Sequence, residues 1–385
     1  MLRSVFALSL LLFALQPACV RSEAVGEWPI VSEAGGTVAQ ADSSFATLVA
    51  KLSEPGGYFD SDNLVSNELS YEHVLGAMRR LKVTGGAYIG VGPDQNYTYI
   101  AKVRPKIAYM IDLRRDNLLQ HLLYKALFDM SRNRAEYLAL LLARPVPTSL
   151  ASWDRRGIDQ IIAYIDSVPP RRELYDSTRV AVATKAASYG IPLDAHDLET
   201  IGRIHGRFAT SGLDLQYESL NRPSRRNYPT FRELILERDL DGSQSNYFVS
   251  EDDFQFVKSL HAKNLIVPVV GNLAGSHALR AVGRDIVARG ERVSTLYVSN
   301  VEFYLMREGT FEAFADNVKT LPRNERSVII RSYFNGPYTY GHPQWVPGYF
   351  STQILQTLES MVTEYTKGGY PTYLDLVTKH SLPLR

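Results

Sequence analysis

Cysteine is almost missing from this 385-residue chain: there is one, Cys19. A lone thiol near the amino end excludes a disulfide framework or a thiolate metal site in the rest of the chain. An excess of one charge is missing too. With 42 Lys and Arg against 41 Asp and Glu, the net charge of +1 gives no nucleic-acid or membrane-surface signature. Beyond residue 20 no apolar run is long enough to span a bilayer. There is no Gly-x-Ser-x-Gly elbow, no P-loop and no His-Glu-x-x-His, so the corresponding hydrolase, nucleotide-phosphate and zinc chemistries have no motif to rest on. Internal repeats and low-complexity tracts are absent as well.

What remains is the composition of a folded globular protein, 45% apolar and 22% charged. The amino end departs from it. Arg3 precedes an apolar run from Val5 to Leu15, and small and polar residues follow, as in a secretory signal cleaved after Ala24. Cys19 after Ala18 offers a lipoprotein alternative, which Gln16 and Pro17 disfavour. The chain is therefore expected to be exported, periplasmic or secreted, with no transmembrane segment in the mature form.

Past a linker and short helix (25–55), apolar runs alternate with amphipathic stretches. Strands are predicted at 87–91, 106–111, 264–270, 293–299 and 327–333. They are apolar without alternation, as when helices cover both faces. A long helix is predicted over 117–142, and helices close the chain at 350–366 and 371–379. Prolines and polar residues interrupt the pattern over 145–250, which is expected to be a mostly helical insertion. The fold class is thus α/β: a doubly wound, mainly parallel sheet in two parts, 56–144 and 251–385. Ligands of such sheets bind at the carboxyl ends of the strands, and each glycine or polar cluster here follows a strand.

The first cluster is Tyr88-Ile89-Gly90-Val91-Gly92-Pro93-Asp94. Gly90 and Gly92 would let a ligand approach main-chain N–H groups. A dinucleotide fingerprint wants glycine at 95, where Gln95 stands, so an NAD-dependent oxidoreductase is disfavoured. Asp112, 22 residues after Gly90, ends the second strand, where a carboxylate can accept both hydroxyls of a ribose. Asn300, Glu302 and Tyr304 follow the fourth strand. An amide and a carboxylate can orient a nucleophile and take its proton, and a ring can face a cationic centre. Asn67 and Glu68 precede the first strand as substrate or lid residues. His196, Asp197, Glu199 and His205 match no metal spacing, and no metal is expected. Asn96-Tyr97-Thr98 matches a glycosylation acceptor only by coincidence. Arg222, Arg225 and Arg226 are read as a solvated segment.

These motifs resemble the class I S-adenosylmethionine-dependent methyltransferases over 85–142 and 251–334. Tyr88–Asp94 stands in place of that family's glycine motif and Ile111-Asp112-Leu113 in place of its ribose-binding acid. The chain is also similar to a group of uncharacterised exported bacterial proteins sharing Asp62-Asn63-Leu64-Val65-Ser66-Asn67-Glu68. The resemblance implies a Rossmann-like fold of methyltransferase type. It implies S-adenosyl-L-methionine held by Gly90, Gly92, Asp94, Asp112, Asn272 and Leu273, and a small-molecule or protein acceptor facing Asn300, Glu302 and Tyr304. Two departures stand out: Tyr88 replaces the usual opening acid and Asp94 the last glycine. No closing hairpin is evident after 334. The alternative is an exported, non-catalytic binding protein that keeps the fold and uses the strand-end cleft for a small-molecule ligand.

Overall fold

Parallel strands buried on both faces favour apolar residues along their length, and five segments of this chain are largely apolar. In the computed structural model they are β1 (Ala87–Gly90), β2 (Ile107–Asp112), β3 (Ile266–Val270), β4 (Val293–Tyr297) and β5 (Val328–Phe334). The model describes residues 43–220, 227–335 and 341–385, all within one unit, Gln40–Arg385. The expected leader, Cys19 and Arg222, Arg225 and Arg226 lie outside the described residues.

A sixth strand, β6 (Ser351–Thr357), completes a mostly parallel mixed sheet of order β3-β2-β1-β4-β5-β6. β1 lies between β2 and β4, parallel to both, so the winding reverses beside it and a crevice opens at the carboxyl ends of β1 and β4. β6 runs antiparallel to β5, with Val328 opposite Thr357 and Phe334 opposite Ser351. This corrects the expectation of a helix over the whole of 350–366. The helix there is only Leu358–Thr366, and Thr357 caps it by accepting from the Ser360 N–H at 3.2 Å. β6 escapes a pattern search because Ser351, Thr352, Gln353 and Gln356 are polar yet buried. Gln356 bonds to Arg331 of β5 and Gln353 to Glu68, while Ser351 bonds to Ser70 and Thr352 to Asn335.

The long helix expected over 117–142 is divided into Arg115–Met130 and Arg134–Leu141. Asn133 marks the break: its side chain accepts from the Glu136 N–H at 3.0 Å and restarts the helix as its N-cap. The stretch 145–250 is mostly helical, with Ile158–Ser167, Arg172–Ser188, Ala195–Ser211 and Phe231–Leu236. Ile201, Ile204 and Phe208 belong to the same apolar cluster as the sheet, so the insertion packs on the core. No helix among the described residues is long and apolar enough to cross a membrane.

One fully buried ion pair joins β5 to β6 and to the helix Val301–Arg307. Arg331 donates from Nε to Glu302 Oε2 at 2.5 Å and from Nη1 to Gln356 Oε1 at 2.7 Å. The two charged side chains are 0% and 1% exposed. Breaking such a pair strands one charge in the interior and costs roughly 3–5 kcal/mol, whereas replacing both partners by apolar residues of similar volume is close to neutral. Arg331→Met is therefore expected to lower the unfolding free energy by about that much, and Arg331→Met with Glu302→Leu to recover most of it, measured by denaturant unfolding.

Candidate functional site

The turn after β1 is held from inside the protein. Asn96 donates from Nδ2 to the carbonyls of Val91 (2.8 Å) and Pro93 (2.7 Å), and its Oδ1 accepts from the Tyr88 hydroxyl at 2.7 Å. This occupied amide is buried, as expected if its glycosylation triplet is coincidental. A Cβ on Gly90 would lie 2.0 Å from Asn96 Oδ1 and 2.7 Å from the Tyr88 ring. Gly90 thus makes room for Tyr88 and Asn96 rather than for a ligand. Gly92 has φ +81°, a conformation glycine adopts without strain. Its carbonyl lies 3.0 Å from His121 Nε2, and His121 Nδ1 lies 2.8 Å from the Tyr97 hydroxyl. Burial pulls the His121 pKa down to about 4. The ring is therefore neutral at pH 7, and its partners fix the tautomer: Nε2–H donates to Gly92 and Nδ1 accepts from Tyr97.

At the end of β2, Asp112 is forked by Arg114. Oδ1 accepts from the Arg114 backbone N–H (2.9 Å) and Nε (3.1 Å), and Oδ2 accepts from Nη2 (3.1 Å). The same guanidinium donates through Nη1 to the carbonyls of Ser61 (3.1 Å) and Asp62 (2.9 Å). Asp62 continues the chain of contacts: its backbone N–H donates to the Glu218 carbonyl at 3.2 Å, and its Oδ1 accepts from the Glu218 N–H at 3.2 Å. The segment 61–68 is thereby held at the strand ends with its own Leu64 and Val65 buried, and Tyr217 lines the same cavity as Asn67 and Asp112.

After β3 the loop carrying Asn272 and Leu273 is held by Glu54. That carboxylate accepts from the backbone N–H groups of Asn272 (2.9 Å) and His277 (3.2 Å). After β4 the chain turns through Ser299 (φ 52°) straight into the helix Val301–Arg307. The expectation that Asn300, Glu302 and Tyr304 face an acceptor together is corrected by the helical period. Residues three and four apart share a face, so Val301, Tyr304, Leu305 and Glu308 face the crevice. Glu302 points the other way, into its pair with Arg331.

Glu68 is buried inside the fold. It is 1% exposed. Its Oε2 accepts from the Tyr297 hydroxyl (2.8 Å), Gln353 Nε2 (2.8 Å) and the Ser332 hydroxyl (2.5 Å). Its Oε1 accepts from Ser299. All four donors are neutral.

Two cavities meet over these residues. The inner one, about 250 Å³, lies at the carboxyl ends of β1 to β4 and is lined by Gly92, Asp112, Asn272 and Leu273 on one side. Asn67, Glu68, Asn300 and Tyr304 line it on the other. The outer one, about 810 Å³, shares Asn67, Tyr217, Asn300, Tyr304 and Glu308 with it. The structure thus brings together eight of the candidate residues around the inner cavity. It does not bring Gly90, Asp94 or Glu302 there. Gly90 and Glu302 serve packing and the buried pair. Asp94 is turned into an aromatic cluster, where its Oδ2 accepts from the Tyr247 hydroxyl at 3.2 Å.

Sequence reasoning missed Arg114, Tyr217 and Glu308. The helical spacing 301, 304, 305, 308 could have found Glu308, but nothing local points to Tyr217. Among the described residues no group of three or more His, Cys, Asp and Glu could hold a metal ion. Asp197 is bound by Arg115 at 2.6 Å, and His205 lies 3.1 Å from the Leu140 carbonyl.

A family model described as Domain of unknown function (DUF7790) matches residues 63–151 and 196–372. The matched ranges contain all six strands and Tyr217, and omit the helices Ile158–Ser167 and Arg172–Ser188. No curated protein matches the chain.

Burial raises the Asp94 pKa from 3.8 to about 7, against the smaller opposing effect of the Tyr247 hydroxyl. The folded state therefore binds this proton more tightly than the unfolded chain. Its contribution to stability is complete below about pH 4 and is lost as pH rises through about 7. Asp94→Asn removes that dependence. The variant's stability minus that of the parent is expected to grow by up to roughly 1.4 kcal/mol per pH unit between pH 4 and 7 and then level off, followed by urea unfolding at each pH.

Proposed function

The chain belongs to the DUF7790 family, and we propose that it is an S-adenosylmethionine-dependent methyltransferase built on a methyltransferase-type α/β domain. The observation that carries this is a convergence. Gly92, Asp112, Asn272, Asn300 and Tyr304, singled out from separate strand ends, line one cavity at the point where the winding of the sheet reverses.

The residues present fit the cofactor in kind. Asp112 keeps 12% of its side chain exposed, and Oδ2 accepts one bond from Arg114, which leaves acceptor capacity for ribose hydroxyls. Asn272 and Leu273 would flank the adenine, and the Gly92 turn would take the methionyl end. When bound there, the cofactor supplies an electrophilic methyl group. The rest is positioning. Asn300 and Asn67 offer amide donors and acceptors to an acceptor group between the two cavities, and Tyr304 offers a ring. Segment 61–68, tied down by Arg114 and Gln120, forms one wall of the inner cavity. Proton acceptance falls to Glu308, which lines both cavities, because Glu302 is consumed by Arg331.

A second reading, an exported binding protein without catalysis, is favoured by three specific features. Asp112 is already forked by Arg114, Tyr88 fills the place of the usual acid, and Gly90 serves packing.

Calorimetry with S-adenosylmethionine, S-adenosylhomocysteine and NAD separates the readings. Both sulfur nucleosides are expected to bind at micromolar concentration and NAD not at all, and Asp112→Asn is expected to weaken binding about tenfold, the size of one lost charge-assisted hydrogen-bond pair. Failure of both nucleosides to bind at millimolar concentration would leave only the second reading.

A further inference from the structure

We infer that the outer cavity binds an arylalkylamine, with its ring among the aromatic side chains and its ammonium group on Glu308. The inference stands on this cavity alone and does not depend on the methyltransferase reading.

The cavity of about 810 Å³ is walled largely by rings. They come as contacting pairs from distant parts of the chain. Tyr217 and Tyr228 of the insertion meet at 5.1 Å between centroids. Phe303 of the helix after β4 meets Tyr373 of the last helix at 5.4 Å. Phe334, ending β5, meets Phe350, which precedes β6, at 5.6 Å. Rings from five places in the fold have no reason to surround empty space in order to fill a core. They form a lining that holds a flat apolar body by offset and edge contacts.

The polar end of the ligand follows from what stands where the two cavities meet. Glu308 lines both. It follows the last turn of the helix Val301–Arg307, and its side chain enters no ion pair or hydrogen bond among the described residues. The neighbouring cation, Arg307, lines the outer cavity too and lies over the Phe303 ring at 5.5 Å, but the cavity's carboxylates, Asp60 and Glu308, outnumber it. Deeper in, Glu68 is held by neutral donors only, and the Arg114 guanidinium is committed to Asp112. A carboxylate beside ring faces favours a cation twice over, by charge and by cation–π attraction. The side-chain amides of Asn67 and Asn300, both lining the junction, supply further acceptors for ammonium N–H groups.

The test is an isothermal titration of the full chain with tryptamine and with indole-3-propionate, which share a ring and a chain of similar length and differ in charge. Tryptamine is expected to bind at least tenfold more tightly. Glu308→Gln, an exposed change that spares the fold, is expected to bring the two within threefold of each other, mainly by weakening tryptamine. Phe350→Leu is expected to weaken both ligands and leave their ratio unchanged. Equal or tighter binding of indole-3-propionate, binding of neither at millimolar concentration, or an unchanged ratio in Glu308→Gln would overturn the assignment. Because no nucleoside is present, the result is independent of whether the inner cavity binds one.

Discussion

Much of this architecture depends on the burial of one carboxylate. Glu68 lies before β1 in the chain but is bonded by Tyr297 of β4, Ser299 beyond it, Ser332 of β5 and Gln353 of β6. A buried carboxylate is tolerated only when its lone pairs are satisfied. Here the donors come from three neighbouring strands, so satisfying them fixes the segment before β1 against one half of the sheet. The same requirement explains why β6 carries buried glutamines. Gln353 donates to Glu68 and Gln356 accepts from Arg331, while the backbone of β6 covers the free edge of β5. An apolar strand would close that edge but leave Glu68 and Arg331 short of partners.

The other half of the crevice is organised by Arg114. Its guanidinium couples Asp112 at the end of β2 to the carbonyls of segment 61–68, and Asp62 passes the coupling to Glu218 and hence to Tyr217. The helical insertion therefore contributes a wall residue to both cavities. A ligand hydroxyl bound at Asp112 would share Oδ2 with Arg114 and so sit beside the group that ties the covering segment and the insertion. The Gly92 turn is preset independently by Asn96 and by a neutral His121, so the two sides of the crevice are positioned by separate networks.

The five parallel strands are legible in the sequence because strands buried on both faces are written as largely apolar runs. The sequence disclosed Asp112, Gly92 and Asn272 because strand-end position is itself a local signal. It concealed β6, whose buried polar side chains imitate a surface segment. It does not show how the helix after β4 divides its side chains, with Glu302 on Arg331 and Glu308 at the crevice. The places of Gly90 and Asp94 away from the cavity are hidden for a related reason. A glycine required by a neighbouring tyrosine and an aspartate buried behind the turn look, in one dimension, the same as residues meeting a ligand. Contacts made across more than a hundred residues, such as Glu68 with β6 or Asp62 with Glu218, leave no local trace.

The central claim is that residues from separate strand ends form one nucleoside-binding crevice. A crystal structure of the protein grown with S-adenosylhomocysteine tests it most directly. The account predicts the nucleoside in the inner cavity, with its ribose hydroxyls on Asp112, its adenine beside Asn272 and Leu273, and its sulfur directed toward Asn300 and Tyr304. A nucleoside bound elsewhere on the molecule, with Asp112 bonded to Arg114 alone and the inner cavity empty, would contradict it.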